Sequence, residues 1–364
     1  MPEQPARLEV LDRLVVPDLW PEVTRRRQGS RPPRAPSPLR RAAIAAVALL
    51  VAGLSFLALV RLWPDRGHRP ATSPTPSVAV PVDNGPIYFR SQARGDVIPT
   101  AWEAVSPSGT GLHTIFPASG PFVPDHMAFS PEGTRIVADL VDRPGIWVAD
   151  PDGRHAVQLT QGANDAWPVW SPDGTKIAFA GSTVSTPCPP SESEYGCRRD
   201  LYVMNNDGTG LRLITKNAAA PSWSPHGQRI AFDTSGRGAG MTSIGIVNAD
   251  GTGERIVAST SRGSDFAPAW SPDGSTIVYA SIRNENWGIF AVPAAGGAEQ
   301  ILRPARPATD YVDDPTWSPD GRLIAFVAGD GISIMRPDGS HIRSIFRQRT
   351  RFPAGSIAWQ PIPR

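Results

Sequence analysis

The chain has 364 residues, of which 40 are Pro and 34 are Gly. That composition argues against long helices or coiled coils and for many short elements joined by turns. Basic residues exceed acidic ones by only two, which gives no electrostatic footprint for nucleic acid, and no nucleic-acid partner is expected.

The near-neutral total hides an asymmetry. Residues 1–41 carry nine Arg against five acids, a net of +4, so the rest of the chain is −2. Within the first part, 7–27 reads RLEVLDRLVVPDLWPEVTRRR. Leu8, Leu11, Leu14 and Val15 fall at helical spacing, Pro17 interrupts them, and Leu19, Trp20 and Val23 follow. Two helices that short are not stable alone. An apolar face of this kind folds on a partner, so a cytosolic partner of residues 7–27 is one expectation and a disordered tail the other.

Ala42 to Val60 is AAIAAVALLVAGLSFLALV, 19 residues without a charge. At about 1.5 Å per residue it spans roughly 28 Å, close to a bilayer's hydrocarbon core. A transmembrane helix is expected over 42–63, with Arg61 and Trp63 at the far interface. Seven Arg and no acid lie in 25–41, whereas charges after Val60 are sparse and mixed. The positive-inside rule then places the N-terminus in the cytosol and the C-terminus outside, a single-pass cell-membrane protein. A cleaved signal peptide fits less well, because no small-x-small site closes the apolar run. Residues 64–85, rich in Pro, Ser and Thr, read as an extended linker.

From residue 86 onward the sequence repeats itself. MAFSPEGTRIVA (127–138), PVWSPDGTKIAF (168–179), PSWSPHGQRIAF (221–232), PAWSPDGSTIVY (268–279) and PTWSPDGRLIAF (315–326) are one unit, with IAWQP (357–361) a degenerate sixth. The anchors Phe129, Trp170, Trp223, Trp270, Trp317 and Trp359 are 41, 53, 47, 47 and 42 residues apart. Each unit continues into two short strands about a turn such as Pro-Asp-Gly or Asn-Asp-Gly. Four short strands at a period in the forties make a β-propeller blade, with the anchor filling the gap between blades. PIYFRS near residue 86 matches a second strand with no inner strand before it. The orphan inner strand is IAWQP, so the C-terminal strand is expected to complete the first blade. The fold class is therefore all-β: a six-bladed propeller over 86–364 closed by its N- and C-terminal strands, preceded by one transmembrane helix.

These WSPDG units resemble the WD40-like (PD40) repeats of the TolB C-terminal domain. The resemblance covers about 275 residues and implies a six-bladed fold used to bind partners. In TolB an α/β domain precedes the propeller; here the apolar run and the linker do. VPDLWPEV in the N-terminal segment is similar to N-terminal segments of actinobacterial membrane proteins related to regulators of extracytoplasmic-function sigma factors.

The turn acids Asp173, Asp273 and Asp320 are expected to shape turns, and Asp150–Gly153 is a hairpin turn rather than a calcium loop. The loops entering the inner strands surround one mouth of the channel. They carry Asp125, His126, Asp165, Asp265, Tyr311, Asp313 and Asp314, an acidic rim suited to a cation, a basic peptide segment or a polar ligand, or merely solvated loop carboxylates. The third blade has an insertion, 181–200, bracketed by Cys188 and Cys197. Outside the cytosol such a pair oxidises, and closing this loop stabilises by roughly 2–3 kcal/mol. Tyr195 in that loop is a candidate anchor for a protein partner on the same face. No cofactor is implied. There is no GxSxG and no repeating metal-ligand set, so a binding or sensing module is expected and a channel-mouth metal hydrolase is the alternative.

Overall fold

The computed structural model describes residues 82–91, 101–182, 199–234, 242–261, 263–307, 311–329, 331–347 and 357–363. They form six four-stranded antiparallel sheets. Blade 1 contains β1 (Val82–Ser91), β2 (Ala101–Val105) and β3 (His113–Phe116). Blade 2 is β4 (Pro124–Phe129), β5 (Ile136–Leu140), β6 (Ile146–Ala149) and β7 (Val157–Gln158). Blade 3 is β8 (Ala166–Trp170), β9 (Lys176–Gly181), β10 (Asp200–Asn205) and β11 (Arg212–Thr215). Blade 4 is β12 (Ala218–Trp223), β13 (Arg229–Thr234), β14 (Ile244–Asn248) and β15 (Arg255–Ala258). Blade 5 is β16 (Gly263–Trp270), β17 (Thr276–Arg283), β18 (Asn286–Pro293) and β19 (Gln300–Pro307). Blade 6 is β20 (Val312–Trp317), β21 (Ile324–Ala328), β22 (Gly331–Met335) and β23 (Arg343–Arg347), and β24 (Ile357–Pro363) returns to blade 1. The inner strands β24, β4, β8, β12, β16 and β20 each contact the next around a closed ring.

The repeat unit explains each blade. Ser171 Oγ donates to Asp173 Oδ1 at 2.6 Å and accepts from the Lys176 amide at 2.9 Å. Gly174 closes the turn on the Ser171 carbonyl with φ of 69°, a conformation that glycine adopts without penalty. Asp273 repeats this in blade 5, and its Ser271 hydroxyl and Ser275 amide hold the carboxyl below the usual range. The turn acids are structural, and Asp150–Gly153 is a hairpin turn closed by the Gly153 amide on the Asp150 carbonyl.

The second and third strands carry the core of each blade: Ile136, Ile177, Ile230, Ile277 and Ile324 of the second strands are fully enclosed. The core is not one cluster but six, each between two adjacent blades. One joins Ala231, Ile244 and Ile246 of blade 4 to Trp270, Ile277 and Tyr279 of blade 5. The sixth joins Ala325, Val327 and Ile332 of blade 6 to Ile87, Phe89 and Trp359 of blade 1. Phe129, Trp223, Trp270 and Trp359 are buried in these interfaces, and Trp170 and Trp317 pack partly buried against theirs. The anchors therefore fill the inter-blade gaps, as expected.

Closure uses both chain ends. β24 pairs antiparallel with β1, Ile87 opposite Trp359 and Tyr88 opposite Ala358. Trp359 Nε1 donates to the Gly85 carbonyl at 2.9 Å. The strand begins earlier than the sequence boundary at 86: beyond a bulge at Asn84/Ile87, Val82 to Asn84 pair with Pro361 to Pro363. The linker assigned to 64–85 thus loses four residues to the sheet. Two further contacts fasten blade 6 to blade 1. The Asp320 amide donates to Asn84 Oδ1 at 3.2 Å, and Arg343 reaches the Pro107 carbonyl at 2.7 Å.

Among the described residues no helix is long and apolar enough to cross a membrane. The segment 42–63 lies outside them, as do residues 7–27, Cys188, Tyr195 and Cys197.

Because β24 supplies blade 1's only inner strand, removing it exposes an unpaired edge. Truncation before Ser356 is expected to abolish cooperative unfolding of the ring. Trp359→Ala, measured by chemical denaturation, is expected to cost on the order of 3–5 kcal/mol. A truncated ring that melts like the intact one would refute this closure.

Candidate site at the channel mouth

A recurrent irregularity builds the channel mouth. Three residues before the anchors Trp170, Trp223, Trp270 and Trp317, the backbone turns left-handed: Trp167 (φ 52°), Ala220 (45°), Ala267 (50°) and Asp314 (44°). Each is followed by Pro, and each sits within a register shift between the first and second strands. A left-handed non-glycine residue is strained by roughly 1–2 kcal/mol. A bulge repeated on four blades re-aims the same side chain on each. The four residues, with His126 of blade 2, line a cavity of about 330 Å³ walled by Pro168, Pro221, Pro268 and Pro315.

Two buried acids hold two of these bulges from the neighbouring blade. Asp139 of β5 accepts from the Trp167 amide of the next blade at 3.3 Å. Asp233 of β13 accepts from the Ala267 amide at 3.4 Å. Burial pushes the Asp233 carboxyl up to about 7, helped by the nearby Asp313 charge and opposed by the Ala267 amide and Arg199. Sequence reading missed both acids. The signal was there: within IVADL and IAFDT they are single acids in second strands that elsewhere read IAFAG, IVYAS and IAFVA.

The structure separates the predicted rim residues. His126 and Asp314 line the cavity. Asp125 pairs with Arg90 across the blade 1–blade 2 interface. Asp165 instead closes its own turn, accepting from Thr160 Oγ1 at 2.5 Å and the Gly162 amide at 3.2 Å. Asp265 is wholly buried, with the Ser281 hydroxyl at 2.6 Å and Arg283 at 3.6 Å. Its Oδ2 has no hydrogen-bond partner among the described residues, and burial raises its carboxyl above the usual range. Asp313 is buried too, and its carboxyl is pushed up to about 6, although the Tyr311 hydroxyl at 2.5 Å and the Asp314 amide draw it down. Tyr311 is buried with its ring 4.5 Å from Trp287. At Asp265 and Asp313 the expected acidic rim is not exposed: both are buried inside β16 and β20, which begin before the expected loop ends.

Aromatic and basic groups complete the mouth. His126 lies 5.1 Å from the Trp167 ring, and the Arg199 guanidinium sits 4.5 Å over that same ring. The cation–π contact ties the end of the 182–199 connection to the channel wall. The connection joins β9 to β10, so the insertion falls between a second and a third strand as expected.

Residues 191–347 match the PD40 family, described as the TolB beta propeller domain. The propeller is TolB-like. A TolB homolog of Chlorobium luteolum is 30% identical over 152 residues, covering 40% of this chain and 30% of that protein. The chain thus spans about a third of that relative's length. Among solved structures, TolB from Acinetobacter baumannii superposes with a TM-score of 0.57 at 20% identity, covering 78% of this chain and 68% of that one. A chain of a nidogen/laminin complex superposes at 0.58 with 14% identity, covering 76% and 98%. At such identities the likeness is one of fold alone.

The raised carboxyl of Asp233 gives a pH test. The unfolded group titrates near 3.8 and the folded one near 7, so the fold holds the extra proton between those values. Its contribution is complete below about pH 4 and is lost as pH rises through 7. Asp233→Asn keeps the acceptor and removes the titration. Relative to the parent, the variant is expected to gain roughly 2–4 kcal/mol between pH 4 and pH 8 in denaturant titrations. A pH-independent difference would show that Asp233 is ionised throughout.

Proposed function

We propose that this chain is a membrane-anchored, extracytoplasmic propeller that binds a protein or ligand partner at the channel mouth, as a docking or sensing module. One observation carries the reading: the TolB-like ring presents a cavity lined by His126, Trp167 and Asp314, with the Trp167 amide held by buried Asp139 and the Asp314 amide by buried Asp313. A site fixed from beneath loses little entropy on binding, and an aromatic with flanking charges is what a protein anchor or polar ligand recognises. The nidogen/laminin chain, of the same fold, comes from a complex of two proteins. The Arg-rich segment and apolar run support an N-in, C-out anchor, and residues 7–27 offer a cytosolic surface for a sigma-factor-related partner.

Protease added to intact spheroplasts is expected to remove residues after about 64 and to spare the N-terminal segment. Loss of the N-terminal segment instead would reverse the orientation. Once a partner is captured with the outer domain, Trp167→Ala is expected to weaken it by about tenfold or more. Asp314→Asn is expected chiefly to change the association rate and its salt dependence. Unchanged binding by both variants would remove the channel mouth from consideration.

A further inference from the structure

The Asp125–His126–Asp139 group goes beyond docking. His126 Nδ1 lies 3.1 Å from Asp139 Oδ2 and 3.8 Å from Asp125 Oδ2. One ligand atom from each of the three residues lies within 4.8 Å of the others. A tetrahedral zinc ion with bonds of about 2.0–2.2 Å has ligand–ligand edges of about 3.3–3.6 Å, which the two observed distances bracket.

The outer oxygens are held elsewhere. Arg90 donates to Asp125 Oδ1. The Trp167 amide donates to Asp139 Oδ1 at 3.3 Å. Each carboxylate thus has one oxygen fixed by a donor and the other turned toward the imidazole nitrogen, the arrangement in which outer contacts orient metal ligands. Charge points the same way. Arg90 balances Asp125, while the Asp139 side chain is only 8% exposed. A cation beside a buried carboxylate stabilises its charged form. His126 also lines the channel cavity.

We propose that Asp125, His126 and Asp139 bind one divalent transition-metal ion, with Zn²⁺ as the probe. One imidazole with two carboxylates suits such an ion better than Ca²⁺ or Mg²⁺, which take all-oxygen shells. The site joins β4 to β5 and, through Trp167, blade 2 to blade 3. It stands whether or not the mouth docks a partner.

The test is calorimetric titration of the untagged, metal-stripped full chain in detergent with Zn²⁺. One ion per chain is expected, bound at least tenfold more weakly by Asp125→Asn and by His126→Gln. His155→Gln is the control, because the exposed His155–Asp150 pair, 2.6 Å apart, is a chelator of the adventitious kind. It should leave the affinity unchanged. Co²⁺ bound to the unaltered chain gives a reading that needs no variant: a d–d spectrum without the thiolate band that Cys188 or Cys197 would add. No stoichiometric Zn²⁺ binding below about 0.1 mM would overturn the proposal. So would a thiolate band, binding undiminished in both site variants, or loss confined to His155→Gln.

Discussion

The antiparallel pairing of Ile357–Pro363 with Val82–Ser91 is the contact on which the rest depends. Six sheets with six cores between them have no centre of their own; each blade buries its apolar faces only against two neighbours. Blade 1 and blade 6 obtain the second neighbour only if the ends of the chain meet. The pairing, the Trp359 indole on the Gly85 carbonyl and the Arg343 contact with Pro107 make that junction. Opening it would expose edges and unpack an inter-blade core together, so ring integrity is cooperative rather than additive.

The closed ring then allows strain at its mouth. Four non-glycine residues in left-handed backbone would not persist in an isolated hairpin. Each is followed by a proline in the wall, Asp139 and Asp233 reach from one blade to the Trp167 and Ala267 amides of the next, and the Asp313 carboxylate accepts from the Asp314 amide. These two acids sit inside otherwise apolar second strands, where burial opposes their ionisation. The mouth thus combines rigid geometry with groups whose charge responds to surroundings, which suits recognition of a charged partner or an ion.

The legible part of this protein was periodic. The anchors at intervals in the forties, the Ser-Pro-Asp-Gly turns and the unpaired PIYFRS strand announced the blades, their turn chemistry and the closing strand, because these depend on local dihedrals and on pairing rules. The acids of the mouth were legible only as positions. Asp265 and Asp313 read as loop residues exposed at a rim, whereas β16 begins at Gly263 and β20 at Val312, inside which both are buried. Asp139 and Asp233 carried a signal, one acid in an apolar strand, but no sequence distance relates Asp139 to Trp167 or Asp233 to Ala267 across a blade boundary.

By itself, then, the sequence determined an array of six four-stranded units, their structural anchors and the strand that closes them. Those properties repeat along the chain and are set within a few residues of each other. Tertiary structure alone decided which side chains line the channel, which acids are buried and that Asp125, His126 and Asp139 converge. Convergence depends on the bulge that re-aims each first strand and on packing one blade against the next. Hydrogen bonds between blade 6 and blade 1 join residues 236 positions apart, and the closing Trp359–Gly85 bond within blade 1 joins residues 274 apart, separations over which a linear pattern carries no geometry.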